Sequence, residues 1–137
     1  MRTVDHDGDR YLLVKQSDES SLVRDPETGE ERYLPNEELS GTGEPPLAVA
    51  ARRVPKPTRR LLTAVPSERA LGVLFELDEC GPMAVRTVLA SYELCESDLH
   101  GLFGELRAAG LVAEADVDGR RGYRLTDHGR EALDSVR

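Results

Sequence analysis

Apolar residues change their spacing twice along this chain. Up to about residue 39 they come in short runs of strand formers. Tyr11-Leu12-Leu13-Val14, Ser21-Leu22-Val23-Arg24 and Glu31-Arg32-Tyr33-Leu34 each read as a strand. Ser17-Asp18-Glu19-Ser20 is turn-like, and in Asp25-Pro26-Glu27-Thr28-Gly29 proline pre-sets a turn while glycine supplies a positive φ. Residues 1–39 are therefore expected to hold a small three-stranded antiparallel meander over about residues 10–34. Such a sheet is marginal alone and must pack on something else.

Residues 40–57 break the pattern. Ser40-Gly41-Thr42-Gly43-Glu44-Pro45-Pro46, followed by Pro55 and Pro57, is the composition of a linker, since proline resists both helix interiors and sheet ladders. A short helical turn over Ala48 to Arg53 is compatible with it. From Thr58 the period becomes helical. Thr58 is a candidate N-cap for Arg59 to Val65, and Ser67 for a helix whose apolar face is Leu71, Leu74, Phe75 and Leu77. Gly81-Pro82 ends that helix. Met83 to Ser91 is a second short helix, and Glu96 to Ala109 a third with inner stripe Leu99, Leu102, Phe103 and Leu106.

Gly110 suits the left-handed position that closes a helix. Beyond it the period is that of strands: Leu111 to Glu114 and Tyr123 to Leu125 flank Asp118-Gly119, a hairpin signal. Thr126 then caps a last helix, Asp127 to Val136. The expected fold class is α+β, with residues 58–137 ordered helix, helix, helix, hairpin, helix.

Two stretches of residues 58–137 carry a family resemblance. Leu106-Arg107-Ala108-Ala109-Gly110-Leu111-Val112 is similar to the exit from a recognition helix into a wing. Tyr123-Arg124-Leu125-Thr126-Asp127-His128-Gly129-Arg130-Glu131-Ala132-Leu133 resembles the "Y-x-L-T-x-x-G-x-x-x-L" end of the wing in MarR- and PadR-like winged helix-turn-helix regulators. The resemblance implies a transcriptional regulator that binds double-stranded DNA as a homodimer, with helix 96–109 in the major groove and a wing over residues 115–122. The candidate DNA-contacting residues are Ser97, His100, Gly101, Gly104 and Arg107 on the helix and Arg120 and Arg121 on the wing. Arg52, Arg53, Lys56, Arg59 and Arg60 are candidates for an arm along the phosphate backbone.

Charge sharpens this expectation and complicates it. The chain has 26 acids against 18 bases, of which sixteen are Arg and two are Lys, for a net charge of -8. Residues 1–48 carry 12 acids and 5 bases, residues 49–70 carry 1 and 6, and residues 71–137 carry 13 and 7. A basic island between acidic segments suits an anionic partner. The overall acid excess suits a salt-adapted cytoplasm, or a coding bias toward Arg, Asp and Glu. With the motifs, it makes the chain resemble haloarchaeal winged-helix proteins, among them the larger of two small cell-division regulators. Yet helix 96–109 itself bears Glu96, Asp98 and Glu105 against one Arg and one His. The alternative is therefore a winged helix that docks a protein partner, through the acidic N-terminal sheet or the Gly101/Gly104 face, without reading bases.

The remaining expectations are absences. There is no apolar run long enough to span a bilayer, and Met1 to Arg10 has no signal-peptide core. The two cysteines, Cys80 and Cys95, are too few for a disulfide scaffold, which suits the cytoplasm, and small buried thiols are their expected state. His6, His100 and His128 are scattered, so no metal or other cofactor is expected. Neither a phosphate loop nor a Ser-His-Asp arrangement occurs, and an enzyme is not expected.

Overall fold

The computed structural model describes all residues, 1–137, and the chain divides between Lys56 and Pro57 into two compact units. Both contain strands and helix, and the chain as a whole is α+β.

The first unit is built on a five-stranded antiparallel sheet. Its strands are β1 (Arg2–His6), β2 (Asp9–Lys15), β3 (Ser20–Arg24), β4 (Glu31–Pro35) and β5 (Ser40–Gly41), in the order β4-β3-β2-β1-β5. The expected three-stranded meander is thus extended at its β2 edge by two further strands. Asp7-Gly8 makes the extra hairpin: both residues have positive φ (52° and 88°), the twist that matches a two-residue turn to its strands. By register, Val4, Tyr11, Leu13, Val23 and Leu34 share one face and form the core. Helix α1 (Pro46–Ala50) packs on β1 and β2 and buries Val49 to 1% exposure.

The expected linker 40–57 is therefore folded. Gly41 and Ser40 pair with Val4 and Asp5, and the Thr3 hydroxyl donates to the Glu44 carbonyl at 3.0 Å. The prolines do not prevent this, because Pro45 and Pro46 stand at the start of α1 and Pro57 in the first turn of the next helix, where no N–H is needed.

The second unit contains α2 (Lys56–Ala64), α3 (Glu68–Cys80), β6 (Met83–Ala84), α4 (Val85–Ser91), α5 (Glu96–Ala108), β7 (Val112–Val117), β8 (Arg120–Leu125) and α6 (Asp127–Asp134). Ser67 caps α3 by accepting from the Ala70 N–H at 3.2 Å, and Thr126 caps α6 by accepting from Gly129 at 3.0 Å. Thr58 is not the cap of α2, which begins two residues earlier; its hydroxyl donates to Ser135 at 2.8 Å. Met83 and Ala84, expected as helix, instead pair with Tyr123 and Gly122 to complete a three-stranded sheet ordered β6-β8-β7. Gly122 makes that pairing possible: a Cβ there would lie 2.4 Å from the Met83 carbonyl oxygen.

Leu74, Leu77, Val88, Leu99, Phe103, Leu106, Leu111 and Leu133 fill one core. The Phe103 ring stacks on Tyr123 with centroids 4.2 Å apart and planes 16° apart, fixing α5 against β8. Leu102 is only half-buried, so the inner stripe of α5 is Leu99, Phe103 and Leu106. Gly110, at φ 76°, turns the chain out of α5, and the Leu111 N–H donates to the Leu106 carbonyl at 3.0 Å. No helix is long and apolar enough to cross a membrane.

Candidate nucleic-acid interface

Helix α5 buries one stripe and leaves two exposed. With 100° per residue, Glu96, Ser97, His100, Gly104 and Arg107 line one outer stripe and Asp98, Gly101 and Glu105 the other. All eight are exposed. The first stripe adjoins the β7–β8 hairpin. Arg107, in the last turn, donates to Glu114 Oε1 on β7 at 2.8 Å, and Arg121 on β8 donates to the same oxygen at 3.0 Å. Arg121 also lies 3.4 Å from the Tyr123 hydroxyl. The Tyr123 phenol first, and Glu114 second, hold the Arg121 guanidinium above its ordinary value.

The hairpin has a two-residue tip, Asp118-Gly119, with φ of 53° and 80°. Register and alternation sort its side chains. Glu114, Asp116, Arg121 and Tyr123 share the face toward α5, whereas Arg120 and Arg124 lie on the other. Arg120 and Arg121 therefore do not act as one doublet. Only Arg121 joins the α5 surface, and Arg120 has no ion-pair partner. Glu114 and Tyr123 were not among the residues singled out from the sequence. Their role depends on the pairing register, which local patterns do not supply.

The second stripe of α5 borders a shallow groove lined by Pro66, Arg69, Leu94, Asp98, Gly101 and Glu105. Gly101 thus belongs to this groove and not to the stripe beside the hairpin. No atom lies within 4 Å of a Cβ placed at Gly101 or at Gly104, so neither glycine is required by packing. The acids of α5 have mostly weak partners: His100 approaches Glu96 at 3.7 Å and Arg69 approaches Asp98 at 4.0 Å. The Ser97 hydroxyl and the Cys95 thiol lie 3.4 Å apart.

The basic island does not form an arm. Arg52 donates to Glu44 Oε2 at 2.6 Å within the first unit, and Glu44 also accepts from Arg10. The Arg53 guanidinium lies where a Gly29 Cβ would stand, 1.9 Å from it. Lys56 is exposed at the start of α2, and Arg59 and Arg60 are half-buried on that helix. Five residues adjacent in sequence are thus divided between two units.

Cys80 and Cys95 are both free and exposed, not buried, because each falls just where a helix ends or begins. No group of three or more His, Cys, Asp or Glu side chains could hold a metal ion. No curated protein and no solved structure matches the chain. One family model matches it over residues 1–137, so the chain belongs to a family of unknown function, DUF7346.

Proposed function

We propose that residues 57–137 form a winged helix-turn-helix that binds double-stranded DNA as a homodimer, with α5 in the major groove and the β7–β8 hairpin as its wing. The order of elements supports this reading: three helices, α3, α4 and α5, precede a hairpin and a closing helix. The observation that carries it is the outer stripe of α5. Ser97, His100, Gly104 and Arg107 are open to solvent, and Arg107 shares the Glu114 carboxylate with Arg121 of the hairpin. Helix and hairpin thereby present one continuous surface, and an α-helix fits a groove about 12 Å wide. Dimerisation follows from reach. A single such module contacts few base pairs, and two-fold symmetry doubles the site.

The acids of α5 favour a second reading. Glu96, Asp98 and Glu105 are exposed, and the last two border the Arg69–Gly101 groove, a surface suited to a basic segment of a protein partner. The first reading is preferred because Asp98 and Glu105 lie off the hairpin-facing stripe, where Glu96 is the one acid and stands 3.7 Å from His100.

The choice is tested by replacing Arg121 by Ala, with Arg120→Ala as the comparison from the opposite face, and measuring binding to a labelled mixed-sequence duplex across a salt series. Each lost phosphate contact should lower the slope of log affinity against log salt by about 0.9. The series must reach high salt, because at about 1 M the Debye length is about 3 Å and the net charge of -8 no longer repels DNA. A folded Arg121→Ala variant with unchanged affinity and slope contradicts the wing's role.

A further inference from the structure

Ion-paired arginines occur in several knots in this molecule, and one of them is unlike the rest. In the first unit, Arg10 and Arg52 meet Asp5 and Glu44, two cations for two anions. At the end of the second unit, Arg130 and Arg137 meet Asp78, Asp127 and Asp134, an excess of anions. At α5 and the hairpin, Arg107 and Arg121 share the single carboxylate of Glu114. Among these three, it is the knot whose paired groups carry a surplus positive charge; Asp116, opposite Arg121 on the same face, is engaged by the Gly119 N–H.

Its geometry is also specific. Two guanidiniums from different elements converge on one oxygen, Glu114 Oε1, at 2.8 and 3.0 Å. Arginines grip a phosphate oxygen by the same short, charge-assisted bonds. The base of the knot is rigid: Glu114 stands opposite Tyr123 in the β7–β8 register, and the Tyr123 ring is stacked on Phe103. Its top is open, with Glu114 49% exposed and both arginines 57% exposed. An ion pair this wet contributes little net stability, so an incoming anion displaces it at low cost.

We propose that Arg107 and Arg121 form a clamp for a backbone phosphate of DNA, and that Glu114 is its resident competitor, occupying the anion position until DNA arrives. This rests on the DNA-binding reading above and adds to it a residue that sets the strength and salt dependence of binding. Glu114 holds the two arginines converged in the absence of DNA and raises the affinity threshold, so that only a ligand rich in phosphate displaces it.

The test compares the full-length protein with E114Q, R107A/R121A and the triple variant E114Q/R107A/R121A, on a labelled mixed-sequence duplex over a salt series. Thermal melts confirm that each is folded. E114Q should bind several-fold more tightly than the parent, with a slope steeper by up to about 0.9 as the phosphate contact becomes more complete. R107A/R121A should bind more weakly, and adding E114Q to it should bring no gain. D118N is the comparison for simple charge relief. It removes an acid at the hairpin tip with no arginine attached, and Asn tolerates the positive φ of 53° there. It should strengthen binding less than E114Q does.

Two results overturn the clamp while leaving the DNA reading intact: DNA binding by E114Q equal to the parent's, or a gain from E114Q that persists without Arg107 and Arg121. Absence of DNA binding by the parent and by every variant overturns the clamp and the DNA reading together.

Discussion

The two units carry the same formal charge and use it differently. Met1–Lys56 has 12 acids and 8 bases, Pro57–Arg137 has 14 and 10, and each is therefore -4. In the first, the arginines of the Pro-rich stretch are held by neighbours: Arg52 pairs with Glu44, and Arg53, though exposed, lies against Gly29. In the second, Arg107 and Arg121 are half-exposed and outnumber their carboxylate. A run of basic residues along a sequence is thus a poor guide to a basic surface. The useful quantity is the local surplus of cations after the fold has paired them.

The units also differ in what holds them together, and this contrast can be broken experimentally. The second depends on one large core centred on Phe103, which is fully buried. Phe103→Ala should cost about 3–5 kcal/mol, a large part of the stability of a single domain. In two-dimensional NMR spectra the resonances of α5, β7 and β8 should collapse while those of β1 to β4 persist. Loss of both sets together would show that the division at Lys56 is not a boundary of stability.

The first unit has a core of few residues beside a partly exposed ion-pair knot, so removing the knot's carboxylate should distinguish the two. The hydrogen bond from Arg10 holds the Glu44 carboxyl below its ordinary value of 4.5, and Arg137 does the same for Asp78, whose ordinary value is 3.8. A carboxylate with a lowered folded-state value stabilises fully above its unfolded value, and the contribution fades as pH falls through the folded one. Melting temperatures of both units should therefore decline below about pH 4.5. Glu44→Gln should lower the melting temperature of the first unit at neutral pH and flatten its acid decline, leaving the second unit's decline in place. An unaltered profile would mean that the Glu44 knot does not support the first sheet.

Much of the second unit was legible because its signals are local. Ser67 and Thr126 as caps, Gly110 as a helix stop, and Asp118-Gly119 as a turn each lie where the sequence places them. The first unit was legible only in β2, β3 and β4. Asp7-Gly8 is the same turn signal as Asp118-Gly119, but Arg2-Thr3-Val4-Asp5-His6 is too polar to read as a strand alone. Thr3 is buried there because its hydroxyl reaches the Glu44 carbonyl, and Asp5 is held by Arg10. The first partnership is long-range, and the second forms only once the β1–β2 hairpin sets Asp5 opposite Arg10. β5 and β6 have two residues each and exist only through pairing, so no periodicity announces them.

The candidate interface divides along the same line. That α5 would be exposed on the side of His100 and Gly104 follows from its period. That Gly101 faces the groove beside Arg69, and that Arg120 and Arg121 take opposite faces of the hairpin, follows from packing and register. Glu114 could be found only by knowing that β7 brings it between two arginines.

The central claim is that the Ser97–Arg107 stripe and the Arg121 face of the hairpin meet DNA as one surface. Titrating the labelled full-length protein with a DNA duplex at matched high salt, and following amide shifts, tests it most directly. The account predicts shifts at Ser97, His100, Gly104, Arg107 and Arg121. Shifts confined to the Asp98–Glu105 groove or to the first unit, or no shifts at all, would contradict it.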